Sequence, residues 1–67
     1  MEIKISTEFI KLDAMLKFAG LVTTGGEAKR DIEMGFARVN GNICTQRGRK
    51  LYPGDRILFK REEILIK

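Results

Sequence analysis

The chain has 67 residues, 43% hydrophobic, 33% charged and 7% aromatic. That length excludes a multidomain protein and any fold with a large core, such as a barrel enzyme or a dinucleotide-binding sheet. Burial and conformational entropy nearly cancel at this size, so a stability of roughly 3–5 kcal/mol is expected, and a surface binding role is favoured over a deep catalytic pocket.

Residues 2–5 alternate polar and apolar and predict a short strand with Ile3 and Ile5 facing inward. A helix is expected next, with Ser6 or Thr7 as N-cap and Glu8 at the positive end of the dipole. At helical spacing Phe9, Leu12, Met15, Leu16 and Ala19 share one arc, and Ile10, Ala14 and Phe18 form a second. Two apolar arcs predict cover on two sides, a second helix on one flank and strands on the other. Asp13 and Lys17 stand four apart in the favourable order for an ion pair. Gly20 is the expected stop.

Thr24-Gly25-Gly26-Glu27 matches a capping box and predicts the second helix. In that reading the Thr24 hydroxyl accepts the Glu27 amide, and the Glu27 carboxylate reaches back to the Thr24 amide. Ala28 and Ile32 face the core, and Gly35 ends the helix. Strands are expected over residues 36–39 and 42–45, joined by Asn40-Gly41, whose turn needs two positive φ angles. Tyr52-Pro53-Gly54-Asp55 predicts another turn. A strand over 56–60, a polar turn at Arg61-Glu62-Glu63 and a strand over 64–66 complete the chain. The order β-α-α-β-β-β-β predicts a single α+β domain over residues 1–67, with two packed helices against a small, mostly antiparallel sheet.

Thirteen Lys and Arg against nine Asp and Glu give a net charge of +4. Residues 1–35 carry five basic and six acidic side chains, and residues 36–67 carry eight and three. This asymmetry predicts a positive surface built by the second half, and a polyanionic partner. Cys44 is the single cysteine and histidine is absent, which excludes an internal disulfide, a Cys/His zinc site and any nucleophile–histidine arrangement. Cys44 reads as a small core residue. A lone thiol without a signal peptide or an apolar run near 20 residues predicts a cytoplasmic protein with no membrane contact.

Gln46-Arg47-Gly48-Arg49-Lys50 is the densest positive segment and reads as an exposed loop. Arginine forks match phosphate oxygens, and Gly48 lets a backbone amide come close to one. Thr24, Gly25 and Gly26 open a helix with free amides, with Lys29 and Arg30 within two turns, which is a second anion-binding candidate. No Gly-Lys-Ser/Thr closes it, so it is not a nucleotide-binding P-loop. Lys11 and Lys17 add charge on the first helix. Phe9, Phe18, Phe36 and Phe59 sit at core-like periods and read as packing. With one tyrosine and no tryptophan, a multi-aromatic stacking platform is not expected. Phosphate and groove recognition of folded RNA fits this composition better than binding of extended strands.

Several of these pieces recur in one order. Lys11-Leu12-Asp13 with Leu16, the Gly20-Leu21 turn, Thr24-Gly25-Gly26-Glu27-Ala28-Lys29, Ile32, Gly35, Val39-Asn40-Gly41 and Pro53-Gly54-Asp55 with Ile57 resemble the S-four RNA-binding domain over about residues 9–60. Leu16-Lys17, the Thr-Gly-Gly-Glu-Ala-Lys stretch and Arg47-Gly48-Arg49-Lys50-Leu51 resemble its small stand-alone YaaA/YbcJ type. The resemblance implies an αα turn and a β-hairpin layer, with RNA held across both helices and the basic loop. It implies Lys11, Thr24, Gly25, Gly26, Lys29 and Arg30 as contacts from the helical part, and Arg47, Arg49 and Lys50 from the loop. The chain departs from many members in having Lys11 in place of Arg and Thr24-Gly25 in place of Ser-Arg.

The function expected is non-enzymatic binding of structured RNA, ribosomal or otherwise folded, with ribosomal proteins as further partners and no cofactor, metal or small-molecule substrate. The alternative is a protein-interaction module using an exposed Ile10, Ala14 and Phe18 face. A small enzyme or anion carrier lacks a general base.

Overall fold

A computed structural model describes all 67 residues. The elements in order are β1 (Glu2–Ile3), β2 (Ile10–Lys11), α1 (Leu12–Phe18), α2 (Gly25–Glu33), β3 (Ala37–Val39), β4 (Asn42–Ile43), β5 (Lys50–Leu51), β6 (Arg56–Phe59) and β7 (Glu62–Ile66). Five strands form one sheet in the order β1-β7-β6-β3-β4, and β2 and β5 form a separate antiparallel ribbon. Every pairing is antiparallel except β1 with β7. The domain is α+β, as the element order predicts.

Side chains alternate across the strands, so one sheet face carries Ala37, Val39, Ile57, Phe59, Ile64 and Ile66, all buried. Leu12, Met15 and Leu16 of α1 and Ala28 and Ile32 of α2 close over that face with no exposed surface. Cys44 joins this core. The opposite sheet face, with Arg38, Arg56 and Leu58, is open to solvent. No helix is long and apolar enough to cross a membrane.

Both helices stop as glycine predicts. Gly20 and Gly35 have φ of +76° and +85°. Around them Leu21 N–H donates to the Leu16 carbonyl and Phe36 N–H to the Asp31 carbonyl, satisfying carbonyls the helix end would otherwise leave bare. The Asn40-Gly41 turn is formed with φ of 52° and 88°, and Val39 pairs with Asn42 across it.

Six expectations are corrected. The first helix begins at Leu12, not after Thr7, because Ile10 and Lys11 pair with Leu51 and Lys50. Strand pairing there overrides a helical spacing that Phe9 only mimics. The second apolar arc is not covered: Ile10 lies outside the helix, Ala14 is exposed, and Phe18 is 69% exposed. Asp13 does not pair with Lys17; its Oδ1 accepts the Ala14 N–H at 2.7 Å. The last hairpin turns at Lys60 and Arg61, since Phe59 pairs directly with Glu62 and Lys60 takes φ of 56°. Glu62 and Glu63 therefore belong to β7 rather than to a polar turn. The two outer predicted strands are also shorter than expected. β1 ends at Ile3, although Ile5 N–H still bonds the Lys67 carbonyl at 2.9 Å. β4 ends at Ile43, with Cys44 N–H bonding the Ala37 carbonyl.

Candidate nucleic-acid interface

The first two helical amides of α1 have no acceptor within their own helix. The basic loop supplies it. Leu12 N–H donates to the Arg49 carbonyl at 2.9 Å and Asp13 N–H to the Arg47 carbonyl at 3.1 Å. The loop closes on itself through Arg49 N–H to the Gln46 carbonyl at 3.1 Å. One residue further, Lys50 lies opposite Lys11 in the β2–β5 ribbon. Leu51, the next residue, is fully buried and seats the ribbon on the core.

Lys11, Arg47, Arg49 and Lys50 are therefore brought together at the start of α1, although two separate segments supply them. All four are exposed, and none is among the three ion pairs of the chain. Four cations gathered without carboxylate partners repel one another, and such an arrangement is relieved by an external anion. The loop uses its carbonyls to hold α1, so its guanidinium groups are free of structural duty.

The α2 start is built differently. Thr24 is the N-cap, its Oγ1 accepting the Glu27 N–H at 3.1 Å. The Glu27 carboxylate takes the Thr23 amide at 2.7 Å and the Thr23 hydroxyl at 3.1 Å. The capping box thus closes on Thr23, one residue earlier than the expected Thr24 amide. Gly25 and Gly26 leave open space on their exposed sides. No hydrogen bond or ion pair joins Thr24, Gly25, Gly26 or Lys29 to the basic loop. The capping carboxylate already offsets part of the positive potential there.

Backbone and hydroxyl donation from Thr23, in that order of effect, holds the Glu27 carboxyl below its ordinary value of 4.5. A lowered folded-state value means that this cap stabilises fully above the ordinary value and is lost as pH falls through the folded one. Thermal melts of wild type and Glu27→Gln across that range are expected to differ most at neutral pH and to converge in acid. A gap that persists unchanged into acid would show that the charge is not what caps the helix.

Arg30 alone among the candidate cations has a counter-charge. Its Nε stands 3.6 Å from Asp31 Oδ1, and Lys60 Nζ stands 3.3 Å from Oδ2. Asp31 is only 2% exposed. Its Oδ2 has no aligned hydrogen-bond donor, so Lys60 acts as a neighbouring charge that also lies over the Phe36 and Phe59 rings at 5.6 and 5.3 Å. Asp31 ties the end of α2 to the β6–β7 turn, a role the composition did not announce. The available signal was its position on the Ala28 and Ile32 arc. Lys17 is exposed near the far end of α1 and pairs with nothing. The outer sheet face holds two more arginines, Arg38 and Arg56, in an open groove with Glu2 and Glu63. The N-terminal ammonium of Met1 sits there too, and Glu2 is paired with Lys67 at 3.2 Å, so this face is also positive, with carboxylates interspersed.

Aromatic residues adjoin the cation cluster. Phe9 and Tyr52 lie with ring centroids 6.0 Å apart at 50°, and Lys50 Nζ is 4.8 Å from the Phe9 centroid. Phe9 is half-buried at the surface, not part of the core its spacing suggests.

The family model described as S4 domain matches residues 3–67. A Bacillus subtilis (strain 168) protein named "Probable ribosome maturation protein RlbA" is 43% identical over 53 residues, covering 79% of this chain and 75% of that protein.

Proposed function

The chain belongs to the S4-domain family, and from that premise we propose that it binds structured RNA through the cations at the start of α1 and catalyses no reaction. The observation that carries this reading is the gathering of Lys11, Arg47, Arg49 and Lys50 around one helix start with no carboxylate partner. Lys17, Thr24, Gly25, Gly26, Lys29 and Arg30 form the outer part of the proposed footprint. The name of the Bacillus relative favours ribosomal RNA as the ligand, ribosome maturation as the process and the cytoplasm as the compartment.

The test is a polarisation titration of a folded ribosomal RNA fragment over a salt series. About three to six neutralised phosphates give a log–log slope of about −2 to −5. A slope near zero would contradict the reading. Gly26→Ala asks separately whether the α2 start takes part. The added methyl meets only Thr24 Oγ1, at 4.0 Å, so stability should hold or rise by up to about 1 kcal/mol. If the bare Gly26 backbone lies against a phosphate, affinity falls while the melting temperature does not. Unchanged affinity removes Gly26 from the footprint.

A second reading is favoured by Phe18. Its ring is 69% exposed and borders a shallow groove with Ile5 and Ile10. In that reading a ribosomal protein covers the ring while RNA occupies the cation cluster.

A further inference from the structure

The β2–β5 ribbon has two faces. Ile10 and Leu51 oppose each other and turn toward the core, Leu51 completely. Lys11 and Lys50 oppose each other on the other face, and the same register carried one residue on sets Phe9 against Tyr52. That outer face therefore presents two aromatic rings next to two ammonium groups. Burial does not account for the rings, since Phe9 is only half-buried and Tyr52 is 42% exposed. Tyr52 is nevertheless anchored through its backbone. Its N–H donates to Asp55 Oδ2 at 2.8 Å, its carbonyl accepts the Asp55 N–H at 2.9 Å, and its ring leans on Phe9.

An exposed ring on an anchored backbone, beside clustered cations, matches the chemistry of a nucleotide whose base has left the stack. The base offers a flat π surface to the ring, and its flanking phosphates meet the ammonium groups. We propose that this outer face is a seat for one unpaired nucleobase, with Tyr52 as the stacking platform, Phe9 as its brace, and Lys11 and Lys50 on the flanking phosphates. The proposal rests on the RNA-binding reading and deepens it, because cations alone do not distinguish a bulge or loop from a continuous duplex.

Tyr52 is the only tyrosine and the chain has no tryptophan, so intrinsic emission reports this seat alone. The experiment titrates the full chain with an RNA duplex carrying one bulged adenosine, and with the same duplex fully paired. The bulged RNA is expected to quench tyrosine emission and the paired one to leave it nearly unchanged. Tyr52→Leu should weaken binding of the bulged RNA by roughly 5- to 150-fold, the usual range for loss of one base stack, and leave the paired duplex unaffected. Tyr52→Phe keeps the ring and should retain wild-type affinity, which separates stacking from any disturbance of the turn. Equal affinity of Tyr52→Leu and wild type for the bulged RNA overturns the seat, as does an equal loss on both RNAs. If those outcomes occur while wild type still binds with a steep salt dependence, the RNA-binding reading stands without the seat. If wild type binds neither RNA, both fall together.

Discussion

Reversing charge at Arg47 and Arg49 together is expected to weaken RNA binding by about 100-fold at low salt, since each lost charge-assisted contact is worth about 1.5 kcal/mol or more. The log–log salt slope should flatten by about 2 as two phosphate contacts disappear. The fold should survive, because the loop holds α1 through the carbonyls of these residues and not through their side chains. Arg38→Glu with Arg56→Glu makes the same change in net charge on the outer face of the five-stranded sheet, which is separate from the β2–β5 ribbon and its loop. That pair should cost far less affinity. Equal losses in polarisation titrations of the two double variants would mean that binding follows net charge rather than a local cluster.

Leu51→Ala is expected to bring the domain close to unfolding. Leu51 is fully buried, and removing such a side chain costs about 2–5 kcal/mol, against a total stability of roughly 3–5 kcal/mol for a domain of this size. The loss also loosens the ribbon that carries Lys50 and sets the loop against α1. Ile10, its half-buried partner across the ribbon, should tolerate alanine better. Urea unfolding followed by circular dichroism reads both effects as shifts of the midpoint. A Leu51→Ala midpoint equal to that of wild type would show that the ribbon is not seated on the core.

What the amino-acid order discloses here is mostly local. Asn40-Gly41, the two helix-ending glycines and the Thr24 cap each act within a few residues, and each forms where its chemistry requires. The features that escaped are those that join distant segments. Nothing near Phe9 announces that Ile10 will pair with Leu51, and the apolar spacing of residues 9, 12, 16 and 19 fits a longer helix equally well. The same holds for Asp31, whose counter-charge Lys60 arrives from the far hairpin. Of the candidate contacts, the loop arginines were visible as a charge run. Their meeting with Lys11 was not, because it follows from the carbonyls capping α1. The aromatic pair was hidden for the same reason, since Phe9 and Tyr52 come from opposite strands of a ribbon with no signature of its own.

Amide chemical-shift mapping tests the cation cluster most directly. On adding a structured ribosomal RNA fragment, the largest salt-sensitive shifts are expected at residues 11–13 and 47–50, with the outer faces of β3 and β6 nearly silent. Large shifts centred on Arg38 and Arg56, with the loop unmoved, would contradict the account.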